Sequence, residues 1–386
     1  MARLGDVCIQ ITDGSHNPPM GIEKSNHLML SSKNIDDDRI TFNDPRYLSQ
    51  QDFEAENKRT NIEPGDLLMT IVGTIGRVAI VPDNLTGICV QRSVAVLKPK
   101  PETVYNRFLM YYLQNMCPYL EQESRGVAQK GIYLKQLNNL TVILPPLDEQ
   151  REIAAVLDKV SDLIAKRRQQ LDRLDELVKS RFIEMFGDPV QNPLRWTKRP
   201  LLEMGYCKNG MNFHTGDSGI EMYCLGVGDF KDHSVIDGTD CLPTVSLNEA
   251  PPEESMLRDG DIVFVRSNGN KALVGRCLVV YPHSTPTTYS GFCIRYRLTS
   301  DDVNTAYLLR VLKTDSMRKM MAGRGANIQN LNQQILATLN VPIPPKELQE
   351  QFASFVAQTD KSKLAVQQGL QELEILKKSL MQEYFE

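Results

Sequence analysis

One stretch of this chain is written twice. At an offset of 199 residues, Pro145-Pro146 match Pro344-Pro345 and Gln150 matches Gln349. Leu171, Leu174 and Leu177 match Leu370, Leu373 and Leu376, Lys179-Ser180 match Lys378-Ser379, and Glu184 and Phe186 match Glu383 and Phe385. Residues 145–186 hold 12 identities in 42 positions. The same offset pairs Gly76-Arg77 with Gly275-Arg276 and Arg125-Gly126 with Arg324-Gly325. Upstream, an offset of 195 pairs Gly65-Asp66 with Gly260-Asp261 and Leu30 with Leu225. Four extra residues around Asn268-Gly269-Asn270 absorb the difference. A long match at one fixed period marks a duplicated structural unit. The 386 residues therefore read as globular domain, helix, globular domain, helix.

The helices are the clearest elements. Asp148 to Phe186 holds no Pro or Gly, and Leu157, Ile164, Leu171, Val178 and Met185 recur every seven residues. Val160 and Leu174 lie in the second stripe, which Arg167 and Arg181 interrupt. That is coiled-coil spacing, and such a helix would be ~60 Å long. Gly187-Asp188-Pro189 then stops it, with Gly just past the end and Pro nearby. The second helix, from about Lys346 to Tyr384, keeps Phe352, Val356, Val366, Leu370, Leu373, Leu376 and Leu380. Lys363 and Lys377 replace the aliphatic residues that match Ile164 and Val178, and Gly369 lies inside it. Two long helices with one apolar stripe each can bury those stripes against each other. The expected seam is Leu157, Ile164, Leu171, Leu174 and Val178 against Val366, Leu370, Leu373 and Leu380, in an antiparallel pair. The plainer possibility is that each helix packs only on its own domain.

The globular parts carry short β signals. Asp66–Val72 and Asp261–Val265 read as strands after Pro-Gly and Asp-Gly turns, followed by Val78–Val81 and Cys277–Val280, then Ser93–Leu97 and Cys293–Leu298. Helices are expected at Tyr105–Met116 and Thr305–Lys313. The fold class is α+β: two tandem α+β domains in a pseudo-two-fold repeat. The expected divisions are 1–145, the helix at 146–187, linker and second domain at 188–344, and the helix at 345–386.

Much chemistry is missing from the sequence. No P-loop, H-E-x-x-H, G-x-S-x-G or G-x-G-x-x-G occurs, so no catalytic residue is expected. The histidines, His16, His27, His214, His233 and His283, have no ligand spacing, and no metal site is expected. The eight cysteines form no C-x-x-C and read as buried thiols. No stretch approaches the ~18–20 apolar residues of a membrane span. Asn17-Pro18-Pro19-Met20 resembles the Asn-Pro-Pro-aromatic segment of amino-methyltransferases, but Met20 replaces the aromatic ring that stacks on a flipped base. It reads as a turn.

Charge points elsewhere. The net charge is -4, yet residues 257–324 hold 11 Lys+Arg against 5 Asp+Glu. Such a patch can neutralise phosphates. Side chains able to pair with base edges cluster in predicted turns. In the first domain they are Lys33, Asn34, Thr74, Arg77, Gln91, Arg92, Arg125 and Lys130; in the second, Arg266, Asn268, Asn270, Lys271, Arg276, Arg324, Asn327 and Gln329. Shared Arg125-Gly126 and Arg324-Gly325 with divergent neighbours fit a common backbone contact beside different base readout.

The whole chain resembles the specificity (S) subunit of type I restriction–modification systems. The resemblance rests on the domain–helix–domain–helix plan and on recurring motifs. These are Leu144-Pro145-Pro146-Leu147-Asp148-Glu149-Gln150-Arg151 with Ile343-Pro344-Pro345-Lys346-Glu347-Leu348-Gln349, Glu63-Pro64-Gly65-Asp66-Leu67-Leu68, Gly73-Thr74-Ile75-Gly76-Arg77, and Phe186-Gly187-Asp188-Pro189. It implies two target-recognition domains, each reading one half of a bipartite, asymmetric site in double-stranded DNA. The helices would act as a spacer and dock two methyltransferase subunits, and up to two restriction subunits could join. It also implies that adenine methylation with S-adenosylmethionine, and cleavage driven by ATP with Mg, belong to those partners. This chain would bind no cofactor and no membrane, in the cytoplasm of a bacterium or archaeon. A non-enzymatic coiled-coil scaffold with protein-binding globular repeats is the alternative.

Overall fold

The computed structural model describes residues 1–386 except 125–130, 214, 215, 217, 232, 233, 323–329 and 386. The chain forms two compact units. One comprises Met1–Gln169 with Gln367–Glu386, the other Gln170–Val366. Each therefore holds one globular domain and parts of both long helices.

In the first unit a sheet runs in the order Cys8–Asp13, Val94–Pro99, Leu67–Thr70, Val78–Ile80, all antiparallel. A second sheet places His27–Leu30 between antiparallel Arg46–Leu48 and parallel Ile88–Val90. Alternate residues of one strand point to opposite faces. Accordingly Leu67 and Met69 pack with Phe108, Leu109 and Leu157 on the helical side, while Leu68 packs with Leu30, Ile88 and Val90 under the second sheet. Burial on both faces is why this strand reads as a continuous apolar run.

The second unit repeats the plan. Gly205–Asn209, Cys293–Leu298, Asp261–Val265 and Cys277–Tyr281 are antiparallel neighbours, with Val235–Asp237 added parallel at the edge. Ile220–Leu225 lies between antiparallel Thr244–Leu247 and parallel Thr287–Tyr289. Asp66 and Lys98 form a buried ion pair at 2.6 Å, and Asp261 and Arg297 form its counterpart at 2.7 Å.

The long helices run over Leu147–Phe186 and Lys346–Phe385. Gly187 ends the first at φ 71, where a Cβ would also meet Pro193 Cγ at 2.5 Å. The duplicated glutamine anchors each helix to the domain before it. Gln150 Oε1 accepts from Tyr105 N (2.8 Å), and its Nε2 donates to Thr103 O (3.2 Å) and Pro145 O (2.9 Å). Gln349 does the same with Asn304 N (2.8 Å), Asp302 O (3.1 Å) and Pro344 O (2.8 Å). The matched phenylalanines anchor the far ends. Phe385 meets Phe108 edge-on at 5.4 Å, and Phe186 meets Tyr307, the match of Phe108, at 4.8 Å.

The helix segments run antiparallel within each unit. In the first, Leu157 and Phe385 share a core while Arg168 reaches Glu374 at 2.8 Å. In the second, Phe182 meets Phe352 at 5.5 Å while Asp175 reaches Lys363 at 2.6 Å. Leu157, Ile164, Val178 and Val366 are buried, and Leu171, Leu174, Leu370, Leu373 and Leu380 are half-buried. The two seam lysines each find an acid: Lys363 pairs with Asp175, and Lys377 pairs with Asp38 at 2.8 Å beside the ring of Tyr111.

One expectation needs correction. Not every cysteine is buried: Cys241 is exposed in the loop before Leu242, and Cys117 and Cys207 are half-buried. The turn at Asn17–Met20 leaves Met20 92% exposed while Pro19 O accepts from Arg46 Nη1.

Candidate nucleic-acid interface

The strands of each sheet end in turns that meet on one rim of their own unit. In the first, Ser32 N donates to Ser93 Oγ (3.1 Å), Arg92 N to Ser15 O (2.9 Å) and Ile132 N to Ile71 O (2.9 Å). Three turns and the chain after residue 130 are thereby tied together. In the second, Arg266 N donates to Phe292 O (2.8 Å), Leu331 N to Arg266 O (2.8 Å) and Gly291 N to Met211 O. The bridges match as well: Ser15 with Gln91 corresponds to Met211 with Ser290, and Val72 with Gly131 to Ser267 with Asn330. The backbone of the rim is duplicated, but its side chains are not. Gln91-Arg92-Ser93 in one unit stands opposite Ser290-Gly291-Phe292 in the other, and Ile71-Val72 opposite Arg266-Ser267.

The candidate side chains divide into three groups. Thr74 and Arg92 are exposed on the first rim and Gln91 is half-buried there. On the second rim, Arg266 Nη1 donates to Gly291 O at 3.3 Å, leaving further guanidinium donors free to turn outward. Asn270 and Lys271 are exposed beside it. Arg125, Lys130, Arg324, Asn327 and Gln329 lie outside the described residues.

The remaining candidates work differently from the sequence expectation. Asn34 is fully buried. Its Oδ1 accepts from Ser31 N (3.0 Å) and its Nδ2 donates to Asn43 O (3.1 Å). Asp229 plays the matching part, accepting from Gly226 N at 2.8 Å. An amide consumed on both sides holds a loop and has nothing left for a base. Asn268 and Asn270 shape their own turn, since Asn268 Oδ1 accepts from Asn270 N (2.7 Å) and Asn270 Oδ1 from Ala272 N (3.1 Å). Lys33 pairs with Asp44 at 2.7 Å at the surface. Arg77 is neutralised by Asp36 at 3.2 Å. Arg276 faces a cavity shared with Lys313 and Arg318.

Sequence reasoning missed Phe292. It is 59% exposed at the tip of the rim turn, next to the Arg266 contact. Its isolated place between Gly291 and Cys293 looks like ordinary strand residue patterning. Among the described residues no group of His, Cys, Asp or Glu could hold a metal ion, and no helix is long and apolar enough to cross a membrane.

Comparison with known proteins matches this architecture. A family model described as the type I restriction modification DNA specificity domain matches residues 23–174 and again 256–375. The type I restriction enzyme EcoBI specificity subunit of Escherichia coli is 32% identical over 158 residues, covering 39% of this chain and 33% of that protein. The chain thus spans about a third of that relative's length. The MjaVIII specificity subunit of Methanocaldococcus jannaschii is 21% identical over 306 residues, 74% of this chain and 70% of that protein. The crystal structure of the type I restriction–modification S subunit from M. genitalium covers 100% of this chain and 95% of its own, with TM-score 0.54 and 14% identity. At that identity the likeness concerns the fold: tandem α+β domains with long helices. With the family model matched twice, once on each half of the duplication, the chain belongs to the type I restriction–modification DNA specificity family.

Proposed function

We propose that this chain is the sequence-recognition subunit of a type I restriction–modification complex, each domain reading one half of a bipartite, asymmetric DNA site. The observation that carries this reading is the contrast between anchors and rims. Gln150 and Gln349 keep the same three hydrogen bonds, while the matched turns present Gln91-Arg92-Ser93 and Ser290-Gly291-Phe292. Conserved scaffolding with unlike tips is what two different half-sites require. Arg and Gln are the side chains suited to guanine and adenine edges. The helices then set the unread gap between half-sites. The near-repetition of the two halves suits two copies of one methyltransferase subunit, because like subunits need like surfaces. Restriction subunits can join that assembly. The chain itself is non-catalytic: S-adenosylmethionine, ATP and Mg are held by its partners, in the cytoplasm of a bacterium or archaeon.

Salt dependence of duplex binding tests the reading against a protein-binding scaffold. Each phosphate neutralised contributes about −0.9 to the slope of log K against log salt. Binding that falls steeply with salt and prefers one split sequence is the expected result. Salt-insensitive binding, or none by an intact complex, would leave the scaffold.

A further inference from the structure

A cavity of ≈ 330 Å³ opens in the second unit, where Asp175 of the first long helix faces the Phe230–Ser234 loop and the strand end at Gly275–Cys277. Its lining holds four cations, Lys231, Arg276, Lys313 and Arg318, and among the described residues one carboxylate, Asp175. That carboxylate is taken, since Lys363 Nζ sits 2.6 Å from its Oδ1. Lys313 Nζ donates to the Ser234 hydroxyl at 2.6 Å, and Arg318 Nη2 donates to Ala272 O at 2.9 Å. Among the described residues neither forms an ion pair with an acid. Burial pushes the Lys313 ammonium below its ordinary pKa, and the nearby Arg310 guanidinium likewise. Four cations gathered in a concave, partly desolvated space repel one another unless an anion joins them.

The duplication supplies an internal control. Arg77 matches Arg276 and Gln114 matches Lys313. In the first unit Arg77 meets Asp36 at 3.2 Å, Lys377 meets Asp38 at 2.8 Å, and Gln114 Nε2 donates to Asp38 Oδ1 at 2.9 Å. Carboxylates of the chain itself balance the cations there. In the second unit Ser234 stands against Lys313 as Asp38 stands against Gln114, and Val178 takes the place of Lys377. Among the described residues no acid stands against Lys313 as Asp38 stands against Gln114, a neutral amide has become a lysine, and the arginine remains. Asp232 and His233, between Lys231 and Ser234 in the sequence, lie outside the described residues.

We infer that the Arg276–Lys313–Arg318 cavity is a binding site for a phosphoryl oxyanion, present in the second unit alone. A guanidinium fork and an ammonium are the groups suited to a tetrahedral, multiply charged oxyanion. The phosphoryl group belongs either to the DNA backbone or to a free phosphate compound. The inference does not depend on the DNA-reading proposal, because it needs only the anion.

The test titrates inorganic phosphate into the full chain at constant ionic strength, following heat and Tm. Saturable stabilisation is expected, because a ligand bound only by the folded state raises Tm. Lys313→Gln, which installs the first unit's residue, should weaken phosphate binding roughly ten- to a hundredfold, the value of one charge-assisted hydrogen bond. Ser234→Asp should abolish the phosphate response yet leave the chain at least as heat-stable, which separates loss of the site from loss of the fold. A mixed-sequence duplex then identifies the source. If both variants also weaken duplex binding and flatten its salt dependence, the site takes a DNA phosphate; if duplex binding is unchanged, it takes a free one. No saturable response of the unaltered chain, or an undiminished response in Ser234→Asp, would overturn the inference. So would a response that emerges only in Asp232→Asn, because the chain's own carboxylate would then fill the cavity.

Discussion

Gln349→Leu removes three hydrogen bonds at the point where the second long helix joins its domain. The side chain is fully buried, and leucine keeps roughly its bulk, so the packing change is small. The loss falls on Asn304 N, Asp302 O and Pro344 O, which bond the amide at 2.8, 3.1 and 2.8 Å. The bond to Pro344 is buried and the other two are partly so. A net value of about 1 kcal/mol per bond gives a destabilisation of about 3 kcal/mol. Urea unfolding of the full chain measures it as a lower midpoint at unchanged slope. Two units can unfold separately, and the effect should then fall on the transition of the second. Gln150→Leu should cost a similar amount in the first. A loss below about 1 kcal/mol in both would refute the view that these glutamines fasten the helices, because a backbone N–H and two carbonyls left without their partners cannot be that inexpensive.

Arg92→Ala and Arg266→Ala should each weaken duplex binding by roughly 1–3 kcal/mol and relax specificity in one half-site only, if the side chains reach base edges; uniform weakening across sequences, with a salt slope reduced by about one, would make them phosphate contacts. Inserting a short helical segment within Lys159–Lys179, compensated in the antiparallel partner, should lengthen the unread gap in the target while both half-sites persist; an unaltered gap would refute the spacer role. Cys241 should be the first thiol alkylated at mildly alkaline pH, because it is exposed, whereas burial pushes Cys8, Cys89 and Cys224 up to about 12. Mass spectrometry after brief labelling distinguishes them, and early modification of Cys89 would contradict its packing with Met29, Leu48 and Phe53.

The elements that depend on local pattern were legible in the sequence. The heptad run and the Gly187 stop predicted a helix over 148–186, and the helix runs over Leu147–Phe186. The apolar run Asp261–Val265 is the strand as read. What depends on distant partners was not legible. Gln150 and Gln349 stood out as identities, yet their role rests on carbonyls 47 residues away. Lys377 looked like a flaw in an apolar stripe, because its partner, Asp38, lies 339 positions upstream. Asn34 carried the right chemistry for adenine but is turned inward, and residue type alone does not separate a base reader from a loop holder. The asymmetry at Lys313 and Ser234 was likewise hidden, since it emerges only when the two units are compared contact by contact.

The most direct measurement is single-molecule sequencing of DNA from cells that express this chain together with the methyltransferase subunit proposed as its partner. The account predicts methyladenine in a split, non-palindromic motif with a gap of fixed length. Exchanging residues 1–145 for another domain of the family should change one half of that motif and leave the other half and the gap. An intact complex that leaves no modification, or a motif whose two halves both change on the exchange, would contradict it.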